Sequence, residues 1–469
     1  MLQTFLFEDS PHSHLRQKLF AWPFCPFSLT VSNLLEICSL GRVCRPRPRR
    51  EHSRVNTAVI NSPQTLQETG VHRPLLEGLA LKTLHMETEL TLLDLAQKMK
   101  LSLGVIEEIF LRLRKDQFCE VKGLTAGVHR IAITSQGRER AMALMQLSQY
   151  VGPAPVSLEQ YTARTRSQSV RNHEVHPPEV ERALAHLVLD AETLKQLGTA
   201  VVSGTSIFLY GPPGTGKTTV AAALPRIYND AVWIPYAVEV DSQIIAVFDS
   251  GLHEHVDSPA PGEFDERWVL CRRPCVSVGG ELTIEMLDLQ FNSLSRYYSA
   301  PLQMKANNGV LVVDDFGRQR IRPEELLNRW IVPLDRSVDF LTLTGGKKFD
   351  LPFDLFVVFA TNLDPTTLAD EAFLRRIQNK VRLDSVTPAQ FHLIARHVCE
   401  DLGLTYDPQV VDHLIQLLSG ELKQELRPCY PRDVFRQIVW GATYQGQPPR
   451  LDLSTVNQAC RNYFLSAAG

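Results

Sequence analysis

Three clusters of residues in this 469-residue chain have the types and spacing needed to work on a phosphoanhydride. The first is Gly211-Pro212-Pro213-Gly214-Thr215-Gly216-Lys217-Thr218-Thr219. Its glycines let backbone N–H groups curl around phosphate oxygens, and a helix starting there adds its positive dipole end. Lys217 has the reach for β- and γ-phosphates, and the Thr218 hydroxyl is a hard oxygen ligand of the kind magnesium takes. The second cluster is Gly309-Val310-Leu311-Val312-Val313-Asp314-Asp315, an apolar run ending in two carboxylates. Asp314 is placed to meet the metal, and Asp315 to orient an attacking water as a base. The third is Asn362, whose amide can position that water without adding charge. Two cationic segments complete the set. In Phe373-Leu374-Arg375-Arg376-Ile377 an arginine can neutralise transition-state charge on a neighbour's nucleotide, and in Pro431-Arg432-Asp433 a cation can reach the γ-phosphate.

These side chains need strand ends and helix starts to hold them. Ser206–Tyr210 is a short apolar run, as expected of a buried parallel strand. The glycine loop follows at once, then 220–224 in helical register, which Pro225 limits to about two turns. Strand, glycine loop and helix form the context a P-loop requires. Residues 310–313, 355–361 and 380–383 read as further strands, and 388–469 as all helical. Lys217 and Asp314 are 97 residues apart. Two strand–helix units need roughly 60, so an insertion is expected at 250–300.

The N-terminal part has a different pattern. Residues 71–150 predict a helix ending near Met86, a second over 92–100 capped by Thr91, and a third over about 103–115 capped by Ser102. Two short strands, 118–121 and 129–134, and a last helix from Ser135 follow. This order resembles the winged helix-turn-helix family, whose third helix often reads DNA. Here the module holds eleven basic and nine acidic residues, and its third helix, counted over 103–116 with Asp116, is neutral. Phosphate binding needs several uncompensated cations, so protein docking is favoured over DNA. Residues 151–178 read as a polar linker, and 1–70 as a disordered tail containing the run Cys44-Arg45-Pro46-Arg47-Pro48-Arg49-Arg50. A secretory signal there is disfavoured by Pro23, Pro26 and Glu36 within the apolar stretch.

Taken together, the phosphate-site motifs resemble the AAA+ ATPases over about residues 176–469. The resemblance implies an α/β fold: a P-loop core over 179–385 with a five-stranded parallel sheet, a helical lid over 386–469, and an oligomeric ring. Gly211 to Thr219 match Walker A and Val310 to Asp315 match Walker B. Asn362 looks like sensor 1, Arg376 or Arg375 like the arginine finger, and Arg432 like sensor 2. The segment Phe340 to Pro352 looks like a hairpin ahead of sensor 1. That is similar to the MoxR-like branch, whose members act as ATP-driven chaperones, and to bacterial chaperone-like ATPases associated with Flp pilus assembly. The family usually ends Walker B in Asp-Glu. Asp315 is one methylene shorter, which implies slow but real turnover.

Composition sets the outer limits. With 44% hydrophobic and 22% charged residues, the chain is an ordinary globular sequence. Its net charge of -3 excludes nucleic-acid binding by bulk charge. No window reaches about 18 clean apolar residues, so no membrane insertion is expected. Nine scattered cysteines suit a reduced, cytoplasmic setting. His253, His255, Cys271 and Cys275 invite a zinc reading, but their spacing fits no common module and a solvated loop is the default. Arg318, Arg320 and Arg322 suit either a ring contact or a solvated loop. The sequence therefore predicts an ATP- and Mg2+-dependent enzyme that remodels a protein partner. A DNA-associated regulator and a nucleotide-gated scaffold are the competing readings.

Overall fold

The computed structural model describes residues 59–368 and 371–464. The basic Arg/Pro run and Cys25, Cys38 and Cys44 lie outside them. Residues 59–70, read above as part of a disordered tail, are packed. Leu66 and Val71 join an apolar core, Leu66 N–H donates to Glu108, and Ser102 Oγ donates to the Pro63 carbonyl.

The helical module begins with α1 (Arg73–Glu87), strand β1 (Glu89–Thr91), α2 (Leu92–Met99) and α3 (Leu103–Lys115). A hairpin of β2 (Cys119–Thr125) and β3 (Val128–Ile133) and helix α4 (Ser135–Leu147) close it. Thr91 and Asp94 form a reciprocal capping box that starts α2. The strand β1 was not foreseen; it pairs with β3, giving the sheet order β1-β3-β2. The module's core is not self-contained, because Ala237 and Ile244 from the inserted sheet belong to it.

The expected linker 151–178 is also folded. It supplies β4 (Val156–Ser157), α5 (Leu158–Ser167) and the start of α6 (Pro177–Leu184). Ser157 and Gln160 cap α5 reciprocally, and Tyr161 is buried with its hydroxyl accepting from Asn307 Nδ2 at 2.7 Å. The buried Arg267 guanidinium donates to the carbonyls of Thr69 and Pro155 at 2.9 and 3.1 Å while paired with Asp265 at 2.8 Å. Polar composition reads as solvated chain, but these groups are satisfied by partners about 110–200 positions away.

The core then runs through α7 (Ala191–Ser203), β5 (Ser206–Tyr210) and α8 (Lys217–Ala223). The insertion starts earlier than 250. It contains β6 (Ala231–Pro235), β7 (Ala237–Val240), β8 (Gln243–Ala246) and β9 (Trp268–Arg272). Strand β10 (Cys275–Val278) belongs instead to the central sheet, so 250–300 is not one insertion. Short strands β11 (Gln290–Phe291) and β12 (Tyr298–Ser299) return to the inserted sheet, ordered β11-β12-β8-β7-β4. His253 and Cys271 are buried rather than solvated. His253 Nδ1 accepts the Asp249 N–H at 2.9 Å and Nε2 lies 2.9 Å from the Lys305 carbonyl, which makes it a structural histidine. No cluster of metal-ligating side chains occurs among the described residues.

After α9 (Leu302–Lys305) come β13 (Val310–Val313), α10 (Pro323–Arg336), the hairpin β14 (Val338–Thr342) and β15 (Lys348–Pro352), and β16 (Phe356–Thr361). Two single turns, α11 (Pro365–Leu368) and α12 (Glu371–Leu374), lead to β17 (Asn379–Arg382). The central sheet is five-stranded and parallel, as the sequence predicts, in the order β10-β13-β16-β5-β17. Its inner strands β13, β16 and β5 are almost wholly apolar because both faces are covered, whereas the edge strands β10 and β17 carry exposed Ser277, Lys380 and Arg382. Ile207, Leu209, Val310 and Val312 face one core, while Phe208, Leu311 and Val313 face another that holds Trp330. Helices α13 (Pro388–Leu402), α14 (Pro408–Gln416), α15 (Cys429–Tyr444) and α16 (Leu453–Tyr463) enclose a core of their own. No helix among the described residues is long and apolar enough to cross a membrane.

Candidate functional site

Parallel strands end on one edge, so β5, β13 and β16 deliver their loops to the same place. The glycine loop leaves β5 with Gly211, Gly214 and Gly216 at φ values of 137°, 81° and 91°. A side chain at Gly211 would collide with the Leu383 carbonyl, 2.2 Å from the position of its Cβ. Only glycine lets the chain turn here this close to the β17 backbone.

Lys217 folds back over this loop. Its ammonium donates to the carbonyls of Gly211 and Pro212 at 3.0 and 2.7 Å and to the Thr215 hydroxyl at 3.3 Å. Burial pulls its pKa below the ordinary lysine value; Asp315 and Asp314 oppose that shift, and Arg427 adds to it. The Thr218 hydroxyl donates to Asp314 Oδ1 at 3.0 Å, and Asp315 N–H donates to the same oxygen at 3.0 Å. Asn362 Nδ2 donates to Asp315 Oδ1 at 3.1 Å. One hydrogen-bonded chain therefore runs from the P-loop helix through both carboxylates to the end of β16. Asp315 has a left-handed backbone, φ 49°. Asp tolerates that region better than the longer acids do, which gives a local reason for Asp at this position.

These groups line a cleft of about 430 Å³ between the sheet edge and the lid. Pro213 through Thr219, Asp314, Asp315, Asn362 and Arg432 all face it. Gly211 and Pro212 stand behind it as acceptors for Lys217. Arg376 is elsewhere: its Nε donates to Asp335 of α10 at 2.9 Å. Arg375 is exposed beside it. Glu324 and Glu325 sit in the first turn of α10, so neither replaces Asp315 at the cleft.

Sequence reasoning missed the rest of the lining. Residues 186–189, ahead of α7, supply one wall, and His397 and Asp401, four apart on α13, supply another. The i,i+4 spacing of that polar pair was a usable signal; nothing marked 186–189. Cys429 also faces the cleft, with burial pushing its thiol up to about 11, and its N–H donates to the Gly214 carbonyl at 3.3 Å.

A family model described as a domain of unknown function, DUF8689, matches residues 387–462, the four-helix region. Comparison with curated protein sequences finds no match. Among solved structures, the chain is similar to the Thermotoga maritima RuvB Holliday junction branch migration motor at 14% identity. That likeness covers 61% of this chain and 70% of RuvB, with a TM-score of 0.33. It is also similar to domain III of the Thermotoga maritima replication initiation protein DnaA at 13% identity, covering 62% of this chain and 99% of that one, with a TM-score of 0.34. Both likenesses are remote.

Proposed function

We propose that this chain is an AAA+ ATPase that binds ATP with Mg2+, hydrolyses it, and uses the cycle to remodel a protein partner. The observation that carries this reading is the hydrogen-bonded chain Thr218–Asp314–Asp315–Asn362 at the mouth of the glycine loop. The loop's N–H groups and Lys217 bind the phosphates. Thr218 Oγ1 and Asp314 Oδ1, 3.0 Å apart, are a hydroxyl–carboxylate oxygen pair of the kind magnesium accepts alongside water and phosphate oxygens. When bound, Mg2+ neutralises charge on the phosphate oxygens. Asp315 takes the proton of the attacking water, and Asn362 holds that carboxylate in place. Arg432 approaches from the lid. Arg376, tied to Asp335, and Arg375, exposed, are not among the residues lining their own cleft and would serve a neighbouring subunit in a ring.

A winged-helix-like adaptor role for residues 71–150 and a MoxR-like assignment for the β14–β15 hairpin belong to the same proposal. The competing DNA-regulator reading is disfavoured because the module's net charge is only +2 and Lys98, Arg112, Lys122 and Arg130 are paired with its own glutamates. The decisive experiment is phosphate release from Mg·ATP by the full chain. Lys217→Ala is expected to lower it by at least about 100-fold, the scale of losing one preorganised charge at the transferring phosphate. Equal rates for wild type and variant would overturn the proposal.

A further inference from the structure

The turn after β13 carries a clasp that lies outside every motif. Gln319 stands between the exposed Arg318 and Arg320, and its side chain bridges two main-chain groups. Its Nε2 donates to the Asp314 carbonyl at 2.7 Å, and its Oε1 accepts the Gly317 N–H at 2.8 Å. Asp315 lies inside this bridge with its left-handed backbone, φ 49°. Any side chain disfavours that conformation, so the turn relaxes unless neighbouring bonds hold it. Phe316 is fixed from the other side. Its N–H donates to the Ala360 carbonyl at 2.7 Å, and its own carbonyl accepts the Thr361 hydroxyl at 2.8 Å. The clasp and the end of β16 thus close the turn from two sides. The Asp315 carboxylate leaves it to accept from Asn362 Nδ2 at 3.1 Å. Gln319 itself is not among the residues lining the cleft.

We propose that Gln319 is a positioning residue, whose clasp holds the left-handed turn that aims the short Asp315 carboxylate at the attacking water. The inference rests on the ATP-hydrolysis reading above, in which Asp315 is the base. A short side chain has few torsions with which to correct its aim, so the direction of its Cα–Cβ bond sets where the carboxylate goes. Without the clasp that bond swings. Asp314 is anchored separately, its N–H on the Val278 carbonyl at 2.8 Å, and Lys217 and Thr218 keep their own contacts. The expected loss is therefore in turnover and not in nucleotide affinity.

The test is steady-state phosphate release from Mg·ATP by the full chain, with Mg·ADP affinity and the thermal midpoint measured on the same samples. Gln319→Met keeps the bulk of the side chain and removes both hydrogen bonds. It is expected to lower kcat by about tenfold or more, the scale of a misaimed catalytic group, with KM and Mg·ADP affinity within about twofold of wild type. In an Asp315→Asn background the same substitution should add almost nothing, because residues that act as one unit are not additive. Unchanged kcat in Gln319→Met would overturn the proposal. So would a loss of Mg·ADP affinity or a large drop in midpoint, since Gln319 would then support the fold of the site. An equal further loss in the Asp315→Asn background would overturn it too, because Gln319 would then act through another group. Lys217→Ala separates the two readings: undiminished phosphate release there would sink ATP hydrolysis itself, whereas a fall there with wild-type kcat in Gln319→Met would sink only this inference.

Discussion

In the N-terminal module, Arg112 pairs with Glu108 at 3.0 Å, and Lys98, Lys122 and Arg130 each pair with a glutamate at 2.7 Å. At the cleft, Lys217 leans on backbone carbonyls, and Asp314 and Asp315 stand side by side. Exposed pairs such as the module's contribute only about 0–1 kcal/mol each. Their significance lies elsewhere: they use up the cations that would otherwise bind a phosphate backbone. The module's surface is partly closed electrostatically, with Arg114, Lys115, Arg138 and Arg140 outside these pairs, and the cleft is electrostatically open. An open arrangement has a cost without a ligand, so it points to where the ligand goes.

The strongest way to break this contrast is at Asp315. Asp315→Asn keeps the hydrogen bonding but removes the base, so turnover should fall by about 100-fold or more while Mg·ATP affinity stays within a few-fold of wild type. Stopped-flow phosphate release and equilibrium binding would check both; undiminished turnover would mean that the carboxylate pair has no catalytic part.

Lys82 is the exception that sharpens the comparison. It is a buried cation in the closed module, where it donates to the Ser148 carbonyl at 3.0 Å. Burial lowers its pKa from 10.5 to about 8. Between these values the unfolded chain binds more protons than the folded one, so folding stability rises with pH across that window and is lost as pH falls toward 8. Wild type should gain about 3 kcal/mol relative to Lys82→Met over that range, at about 1.4 kcal/mol per pH unit. Urea unfolding of both proteins at several pH values measures it, and parallel curves would show that Lys82 does not titrate there.

The smallest effect concerns the module's pairing. Converting Glu89, Glu108 and Glu120 to Gln together frees Arg130, Arg112 and Lys122. Duplex DNA binding, weak in wild type, should then strengthen at low salt, its log–log salt slope steepening by about 0.9 for each additional phosphate neutralised. If wild type already binds tightly with a steep slope, the closed-surface argument fails.

Legibility followed the range of the interactions involved. The P-loop, Asp314, Asp315 and Asn362 were readable because each stands at the end of an apolar strand, and a strand buried on both faces announces itself residue by residue. The folded stretch at 151–178 was not. Its polar groups look solvated until Asn307 donates to the Tyr161 hydroxyl, and Asn308 and Arg273 donate to the carbonyls of Thr165 and Gln168, from far along the chain. The inserted sheet was hidden for a related reason: β11, β12 and β4 are each two residues long and acquire their meaning only from β7 and β8.

The sequence by itself determined four of the five central strands, the glycine loop and the carboxylates at the strand ends, because local apolar runs and required glycines encode them directly; β10 lay in the stretch read as an insertion. Tertiary structure alone decided which charges remain uncompensated. It paired Arg376 with Asp335, Lys98 with Glu87 and Arg130 with Glu89, and left Asp314 and Asp315 side by side at the cleft. Charge pairing acts over a few ångströms of space whatever the separation in chain, so a long-range pair such as Arg376–Asp335 carries no signal in spacing, whereas Arg112 and Glu108, four apart on α3, do.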